Sequence, residues 1–303
     1  MLGDHAQSAN QKMPALIANE IPSSLASAIG LFRYPRRGLG DPAQMPRIER
    51  SLIDAKIDMA WLSSYRECVG LPPGDHVLPP LVLQIAAAPL HLAVLADVRF
   101  PFRALGLVHM SQHITQTQTI SPRASLDLVA YTTDARWEKR GMSFGLVTEA
   151  RIGGRMVWAG VTRALATGIS PVNIEVAKSR ANTIDRAESP RIEQQIEVPE
   201  NCGRGYAKIA GDRNPIHQHA WLARPFGLKR AIVHGTWTLA RALALAELPI
   251  GESFKFNATF LRPVELPSQI LIRAYGAAGL QGQLVLVQNQ AGKANHLTVE
   301  FER

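Results

Sequence analysis

The chain has 303 residues, of which 46% are hydrophobic, so it is long enough to bury one large core or two of ordinary size. A formal net charge of +8 favours an anionic partner, but the 33 lysines and arginines are scattered and form no long basic run, which disfavours nucleic acid. Cys68 and Cys202 are too few and too far apart for a disulfide framework or a thiolate metal site, as expected in a reducing cytoplasm.

The N-terminus lacks the features of a secretory signal. Asp4 precedes any basic residue and no continuous apolar segment follows it, so we expect a cytoplasmic location. Residues 81–98 are the one stretch that resembles a membrane span, but Gln84, Pro89 and His91 interrupt it. The stretch therefore predicts a buried core helix, and no membrane partner is expected.

The first predicted unit spans residues 44–168. The preceding residues 1–43 are polar, rich in Gly and Pro and aperiodic, which predicts an irregular extension. The unit opens with a strand and a helix that ends at Gly70, and Pro79 and Pro80 then begin the long apolar helix. Its predicted elements are a strand at 47–53, helices at 55–69 and 79–98, and strands at 107–117, 125–135, 142–152 and 155–167.

The second predicted unit, residues 191–303, repeats this plan after a linker at 169–190 that is rich in polar turn formers. In its last strand Leu297, Val299 and Phe301 alternate with polar residues, which predicts one buried face. Its predicted elements are a strand at 191–198, a helical and loop region to 229, a helix at 232–247, and strands at 254–264, 269–275, 283–290 and 296–301.

Two successive units, each with one apolar helix wrapped by an antiparallel sheet, predict an α+β protein of the double hot-dog type. A helix that is apolar nearly all round fits inside a curled sheet. Two such sheets joined edge to edge would remove their exposed edges and make the chain a built-in dimer. Association of two chains into a homodimer is left open.

The chemistry-bearing residues are concentrated in the segment from Tyr206 to Gly235. In its core, Gly211 to His217, Asp212 and His217 are five residues apart across a turn. A purely structural interpretation also exists, because Asn214 is a good helix N-cap and Pro215 a good first-turn residue. A segment that only begins a helix running to Ala223 would have the same spacing of Asp212 and His217.

The segment closely resembles the signature of the MaoC-like hydratases and dehydratases, which include the R-specific 2-enoyl-CoA hydratases. That signature is a short hydrophobic helix, then G-D-x-N-P-[aliphatic]-H, a small residue six positions on, and [aliphatic]-x-H-G at the start of the hot-dog helix. The resemblance implies a catalytic C-terminal hot dog and a degenerate N-terminal one that helps to shape the acyl tunnel. The matching positions are Gly211, Asp212, Asn214, Pro215, Ile216, His217, Ala223, Ile232, His234 and Gly235.

The resemblance implies a hydro-lyase that interconverts trans-2-enoyl and (R)-3-hydroxyacyl thioesters, carried on coenzyme A or acyl carrier protein, without a cofactor or metal. Asp212 and His217 would hold one water as an acid/base pair, and the backbone N–H of Gly235 would receive the developing enolate oxygen. Asn214 would hold the turn and His234 would cap the helix. Lys229, Arg230 and Arg262 could meet coenzyme A phosphates or be ordinary solvated bases.

Two further observations qualify this hypothesis. His109 and His113 are four apart on a predicted strand and so are expected to share a face, but without a third ligand they are interpreted as structural. Many single hot-dog hydratases carry a supporting serine along the hot-dog helix, and residues 239–243 have none. A hot-dog acyl-thioesterase and a non-catalytic acyl-thioester binding module are the alternatives, and the intact Asp212 and His217 argue against both.

Overall fold

Alternating apolar residues along the predicted strands build one antiparallel sheet. The computed structural model describes residues 15–17, 38–168, 189–246, 253–276 and 282–302, so most of the predicted linker and extension lie outside the described residues. The strands are β1 (Leu16–Ile17), β2 (Glu49–Ile57), β3 (Val108–Gln116), β4 (Leu126–Glu138), β5 (Gly141–Ile152), β6 (Arg155–Thr167), β7 (Ile192–Val198), β8 (Phe254–Phe260), β9 (Ser268–Tyr275), β10 (Leu284–Asn289) and β11 (Asn295–Phe301).

The strand order shows a duplicated architecture. Across the described sheet the order is β1-β2-β4-β5-β6-β3-β8-β11-β10-β9-β7. Apart from the two-residue β1, the two halves have the same strand order from the outer edge of the sheet to its centre. This order is β2-β4-β5-β6-β3 in the N-terminal half and β7-β9-β10-β11-β8 in the C-terminal half. The second strands of the two halves, β3 and β8, pair with each other at the centre, so the strand order of one half is the reverse of the other across the sheet. This is the predicted double hot-dog fold, while the exact limits of the two units stay a prediction.

Six α-helices accompany this sheet in the described residues. Asp58 caps the first of them by accepting a hydrogen bond from the backbone N–H of Trp61 at 2.8 Å, so β2 extends to Ile57 and the helix begins later than predicted. The helices are α1 (Met59–Val69), α2 (Val82–Ala86), α3 (Ala88–Leu95), α4 (Cys202–Ala210), α5 (Ala220–Ala223) and α6 (Gly235–Leu245).

The prediction of one long helix from Pro79 to Val98 is wrong. The segment forms two short helices, α2 and α3, that meet at Ala87. Pro89 explains the break, because it has no N–H to bond the carbonyl of Ile85 and its ring crowds that turn. Across the described residues, no helix combines the length and apolar character that crossing a bilayer would require.

The expectation that His109 and His113 share a face is also wrong. The pairing of β3 with β6 slips by one residue at this point, since His109 is opposite Ala164 whereas Ser111 is opposite Arg163. The extra residue is a β-bulge that reverses the alternation. His109 therefore turns to the inner face, and His113 stays on the outer face.

Helix α1 of the N-terminal half ties the two halves together. Its Trp61 donates a hydrogen bond from Nε1 to the carbonyl of Ile209 at 2.9 Å, which anchors α4. In return, Trp237 of α6 donates from Nε1 to the carbonyl of Cys68 at 3.2 Å. Both indoles are buried, so each hydrogen bond satisfies a polar group inside the core. The C-terminal half is thus positioned against the helices of the N-terminal half.

Gly203 allows α4 to lie directly against the segment that carries His217. A Cβ atom at Gly203 would be 2.2 Å from the carbonyl oxygen of His217, a distance that no packed protein tolerates. Gly205 lies two residues further along the same helix and is exposed, and a Cβ atom there would have no neighbour within 4 Å. The two glycines therefore make a matched pair for testing this contact.

We expect Gly203→Ala to lower the free energy of unfolding by about 1–3 kcal/mol, because the new methyl group pushes against backbone. Gly205→Ala should instead stabilise the helix by up to about 1 kcal/mol, because alanine is the better helix former. Urea unfolding of both variants measures the difference. Equal stabilities for the two variants would contradict the close approach of α4 to His217.

Candidate active site

The segment after α4 is a turn followed by a short 3-10 helix. Gly211 ends the helix in the left-handed region with φ 72°, which favours glycine. Asn214 caps a 3-10 helix, Pro215–His217, and its Oδ1 accepts a hydrogen bond from the backbone N–H of Ile216 at 3.4 Å. The structural interpretation of Asn214 as an N-cap is therefore correct, but the helix it begins stops at His217.

His217 is held in one tautomer by the backbone. Its Nδ1 is 2.8 Å from the carbonyl oxygen of Ile232, and since a carbonyl only accepts, Nδ1 carries the proton. The other ring nitrogen, Nε2, then has a free lone pair. The residue is only 8% exposed, and burial lowers the pKa of His217, which the charge of Asp212 partly opposes. His217 is therefore a neutral base.

Asp212 faces the lone pair of His217. Its side chain is 53% exposed, and its Oδ2 is 3.9 Å from His217 Nε2. Its Oδ1 accepts a hydrogen bond from the backbone N–H of Asn214 at 3.0 Å, which fixes the carboxylate. Both facing atoms are acceptors, so a group placed between them must supply the protons. A water molecule has two O–H donors and can bridge the two atoms from one side, at hydrogen-bond distance from both.

His234 supports the pair rather than capping a helix with its side chain. His234 occupies the N-cap position of α6, as predicted, and its side chain forms no capping hydrogen bond. Its Nε2 donates instead to the backbone carbonyl of Asp212 at 3.0 Å. The ring stacks on His217 with 3.7 Å between centroids. Burial and the neighbouring His217 lower the pKa of His234 to about 4.

Gly235 opens α6 beside this pair. The backbone N–H groups of a first helical turn have no partner inside the helix, and the helix dipole makes them attract negative charge. A Cβ atom at Gly235 would be 3.0 Å from the ring of Phe260, so a side chain would be crowded there. The backbone N–H of Ile232 donates to the carbonyl of Ile216 at 3.0 Å, which joins the start of the helix to the turn.

The predicted basic residues are exposed. Lys229 and Arg230 precede the segment that leads into α6, and Arg262 follows β8 and donates from Nη1 to the carbonyl of Asn295 at 3.2 Å. Among the described residues, no ion pair joins these three to Asp212. Their contact with a substrate therefore stays a prediction.

Sequence reasoning did not single out Tyr206 or Phe260 near the site, and it interpreted His109 as structural. Tyr206, on α4, presents its buried ring edge to His234 with 5.2 Å between centroids. Phe260 covers Gly235, and its ring is 4.4 Å from that of His109. Tyr206 begins the signature segment and could have been found from its helical spacing to Ala210. The positions of Phe260 and His109 depend on strand pairing, which the motif does not encode.

A buried threonine of α6 lies next to the stretch that lacks the supporting serine. Thr238 lies one residue before the stretch in which a serine was expected and is 4% exposed. Its Oγ1 donates to the carbonyl of His234 at 3.4 Å. The hydroxyl thus supports the backbone of the residue that holds Asp212.

Asp212, His217 and His234 have potential metal-ligand atoms that all lie within 4.8 Å of one another, the one such group among the described residues. The hydrogen bonds disfavour this use. Nε2 of His234 carries a proton for the carbonyl of Asp212, so it offers no lone pair to an ion. The arrangement is better suited to moving protons than to binding a metal ion.

Part of the chain is similar in sequence to a known domain family. Residues 181–281 match the model of the MaoC-like domain family. A 3-hydroxyacyl-thioester dehydratase of Mycobacterium tuberculosis is 28% identical over 256 residues, which are 84% of this chain and 89% of that protein. The chain is a hydro-lyase with a MaoC-like domain. The family resemblance and the enzyme class predicted from the sequence are both confirmed.

Two solved structures extend the likeness to the whole fold. The crystal structure of HtdX from Mycobacterium tuberculosis has 25% identity and a TM-score of 0.71, covering 84% of this chain and 99% of that chain. The crystal structure of a MaoC-like dehydratase from Phytophthora capsici has 16% identity and a TM-score of 0.62, covering 86% and 97%. The second likeness concerns the fold alone.

We expect the stability of the protein to fall as the pH falls from about 6.5 to about 4. Burial lowers the pKa of His91, His109 and His234 to about 4, whereas an unfolded histidine titrates near 6.5. In this window the unfolded chain binds more protons than the native one, so acid favours unfolding. Urea unfolding at pH 7.5, 6 and 5 measures the slope, to which these residues should contribute about two to three protons at pH 5.

His76 provides the control, because its side chain is 93% exposed. His76→Gln should leave the slope unchanged, whereas His91→Gln should reduce it by about one proton. A free energy of unfolding that is constant between pH 5 and 7.5 would contradict the burial of neutral histidines.

Proposed function

We propose that the protein catalyses the reversible dehydration of an (R)-3-hydroxyacyl thioester to the trans-2-enoyl thioester. One observation carries the proposal: the Asp212 carboxylate and the free lone pair of His217 face each other across 3.9 Å, beside the first turn of α6. The name of the 28% identical relative, a 3-hydroxyacyl-thioester dehydratase, supports this substrate class. The R configuration rests on the family resemblance.

In the hydration direction, a water held between Asp212 and His217 donates to both. As its oxygen attacks the β-carbon, one member of the pair accepts a proton, and a proton is returned to the α-carbon. The water thus ends as a hydroxyl group on one carbon and a hydrogen on the other. Dehydration is the reverse, with the α-proton removed and the hydroxyl group leaving as water. A pair on one side of the double bond can perform both transfers.

Gly235 supplies the third requirement of the reaction. Negative charge develops on the thioester oxygen when the β-carbon is attacked, and fixed donors stabilise it most effectively. The backbone N–H of Gly235 lies in the first turn of α6, where the helix dipole adds to the effect. The lack of a side chain lets the ring of Phe260 pack against Gly235.

The thioester would be carried on coenzyme A or on acyl carrier protein, both of which are anionic. Four basic residues, Arg213, Arg224, Lys229 and Arg230, are exposed along the segment that contains His217. No carboxylate side chain lies between Arg213 and Arg230 in the sequence, so this segment is uniformly basic. We propose that Lys229 and Arg230, with Arg262, attract the phosphate groups of the carrier.

We expect Asp212→Asn and His217→Ala each to lower kcat by at least about a hundredfold, since each removes an acid/base group. The loss of absorbance on mixing the protein with crotonyl-CoA and with a longer 2-enoyl-CoA measures turnover, and chiral analysis identifies the product. Asp75→Asn is the control, because Asp75 lies on the surface in an ion pair with Arg123 and should leave kcat unchanged.

Near-normal turnover in either variant would overturn the site assignment. Release of a free thiol, detected in the same reaction, would favour the thioesterase alternative, because that reaction cleaves the thioester instead of hydrating the double bond. Binding of the enoyl thioester without turnover on either carrier would favour the binding module.

We expect the double variant Lys229→Ala, Arg230→Ala to raise KM for an enoyl-CoA by about fivefold, which corresponds to roughly 1 kcal/mol of lost charge attraction. The KM of the unaltered protein should rise with salt concentration, and that of the variant should rise less. The matched control is Lys139→Ala, Arg140→Ala, an exposed basic pair in the turn between β4 and β5. Equal effects of the two double variants would indicate a general effect of net charge.

A further inference from the structure

His109 belongs to the N-terminal half yet is directed toward the catalytic residues of the C-terminal half. The bulge in β3 turns it to the inner face of the sheet, next to the junction where β3 pairs with β8. Its ring lies 4.4 Å from that of Phe260, the last residue of β8. Without the bulge, the side chain would share the outer face with His113.

The contacts of Phe260 place His109 at the thioester end of the proposed site. Phe260 lies against Gly235, 3.0 Å from where a Cβ atom would be, so one aromatic ring separates His109 from the proposed oxyanion donor. The charge of Asp212 also reaches His109, where it partly opposes the effect of burial on the pKa of the imidazole. His109 therefore contacts the residue that covers Gly235 and lies within the electrostatic reach of Asp212.

The hydrogen bonding of His109 is incomplete. The backbone of Ser111 and the side chain of Gln112 interact with the imidazole and partly oppose the lowering of its pKa by burial. Its Nε2, however, is enclosed from solvent and has no partner at hydrogen-bond geometry among the described residues. Buried polar atoms nearly always have a partner, so such an atom needs an explanation. Two other histidines of this half do have one: His91 Nε2 is 2.7 Å from the hydroxyl of Thr148, and His113 Nε2 is 3.2 Å from that of Thr115.

We propose that His109 is a substrate-binding residue of the active site, supplied by the N-terminal half, whose Nε2 hydrogen bonds to the thioester segment of the bound substrate. The proposal rests on the function proposed above. A neutral imidazole offers a proton or a lone pair at Nε2, according to its tautomer. The partner is accordingly the thioester oxygen or an amide N–H of the adjoining carrier arm. The catalytic half would then form a complete site only together with the other half.

The test compares three variants with the unaltered protein, using crotonyl-CoA. His109→Phe keeps a ring of similar size but removes the hydrogen bond, and it should lower kcat/KM by about tenfold or more. His109→Gln retains a polar group in this place and should recover most of that loss. His113→Phe, on the opposite face of the same strand, should leave kcat/KM within about twofold. Thermal unfolding checks that all three variants are folded.

The two candidate partners give different kinetics. A bond to the thioester oxygen strengthens as charge develops, so His109→Phe would lower kcat. A bond to the carrier arm is equal in the ground and transition states, so His109→Phe would raise KM and leave kcat unchanged. Unchanged kcat and KM in an active enzyme, or equal losses in the Phe and Gln variants, would overturn the proposal.

Titration calorimetry with butyryl-CoA separates failure of this inference from failure of the proposed function. Butyryl-CoA has the thioester segment but no double bond and no 3-hydroxyl group, so it tests binding alone. His109→Phe should weaken its binding by about fivefold or more, and His109→Gln by less. Equal dissociation constants for the unaltered protein and His109→Phe would overturn the inference even if the enzyme proves inactive with crotonyl-CoA.

Discussion

The hydrogen bond from His217 Nδ1 to the carbonyl of Ile232 decides what this site can do. It places the proton on the side of the ring that faces the backbone and leaves a lone pair facing Asp212. Ile232 can accept this bond because its own N–H pairs with Ile216, which brings the segment before α6 against the turn. A reversed neutral imidazole would present an N–H donor to Asp212 and close the gap with a hydrogen bond, and a protonated imidazole would close it as an ion pair. The acceptor pair therefore depends on one backbone contact.

The duplicated sheet and its helices hold in place the segments that form the hydrogen bond between His217 and Ile232. The second strands of the two halves pair across the centre, and α1 bonds to both α4 and α6 through buried tryptophans. Among the described strands, the pairing of β3 with β8 covers the inner edge of each half, which removes a site of unwanted association. The N-terminal half has no counterpart of the Asp212 and His217 turn in its sequence, yet it fixes the helices that carry the turn.

The sequence predicts much of this arrangement, because local signals determine it. Alternating residues locate the strands to within a few positions, and the resemblance of the segment from Gly211 to His217 to the MaoC-like signature predicts that Asp212 and His217 act as a pair. The break at Ala87 was predictable in principle from Pro89, but the apolar run around it suggested a single helix. The contacts of His234 and the face of His109 were not predictable. The contacts of His234 require the fold to bring the start of α6 against the turn that carries Asp212. The face of His109 depends on a β-bulge, which only the pairing of β3 with β6 reveals.

The most direct test of the facing acceptor pair is the protonation state of His217. Nitrogen NMR of protein labelled with ¹⁵N in its histidines distinguishes the two neutral tautomers and the charged form, and the His217→Ala variant assigns the signals. At pH 7 we expect Nδ1 of His217 to be protonated and Nε2 to be unprotonated. A proton on Nε2, in either a reversed neutral ring or an imidazolium, would contradict the facing acceptor pair and the mechanism built on it.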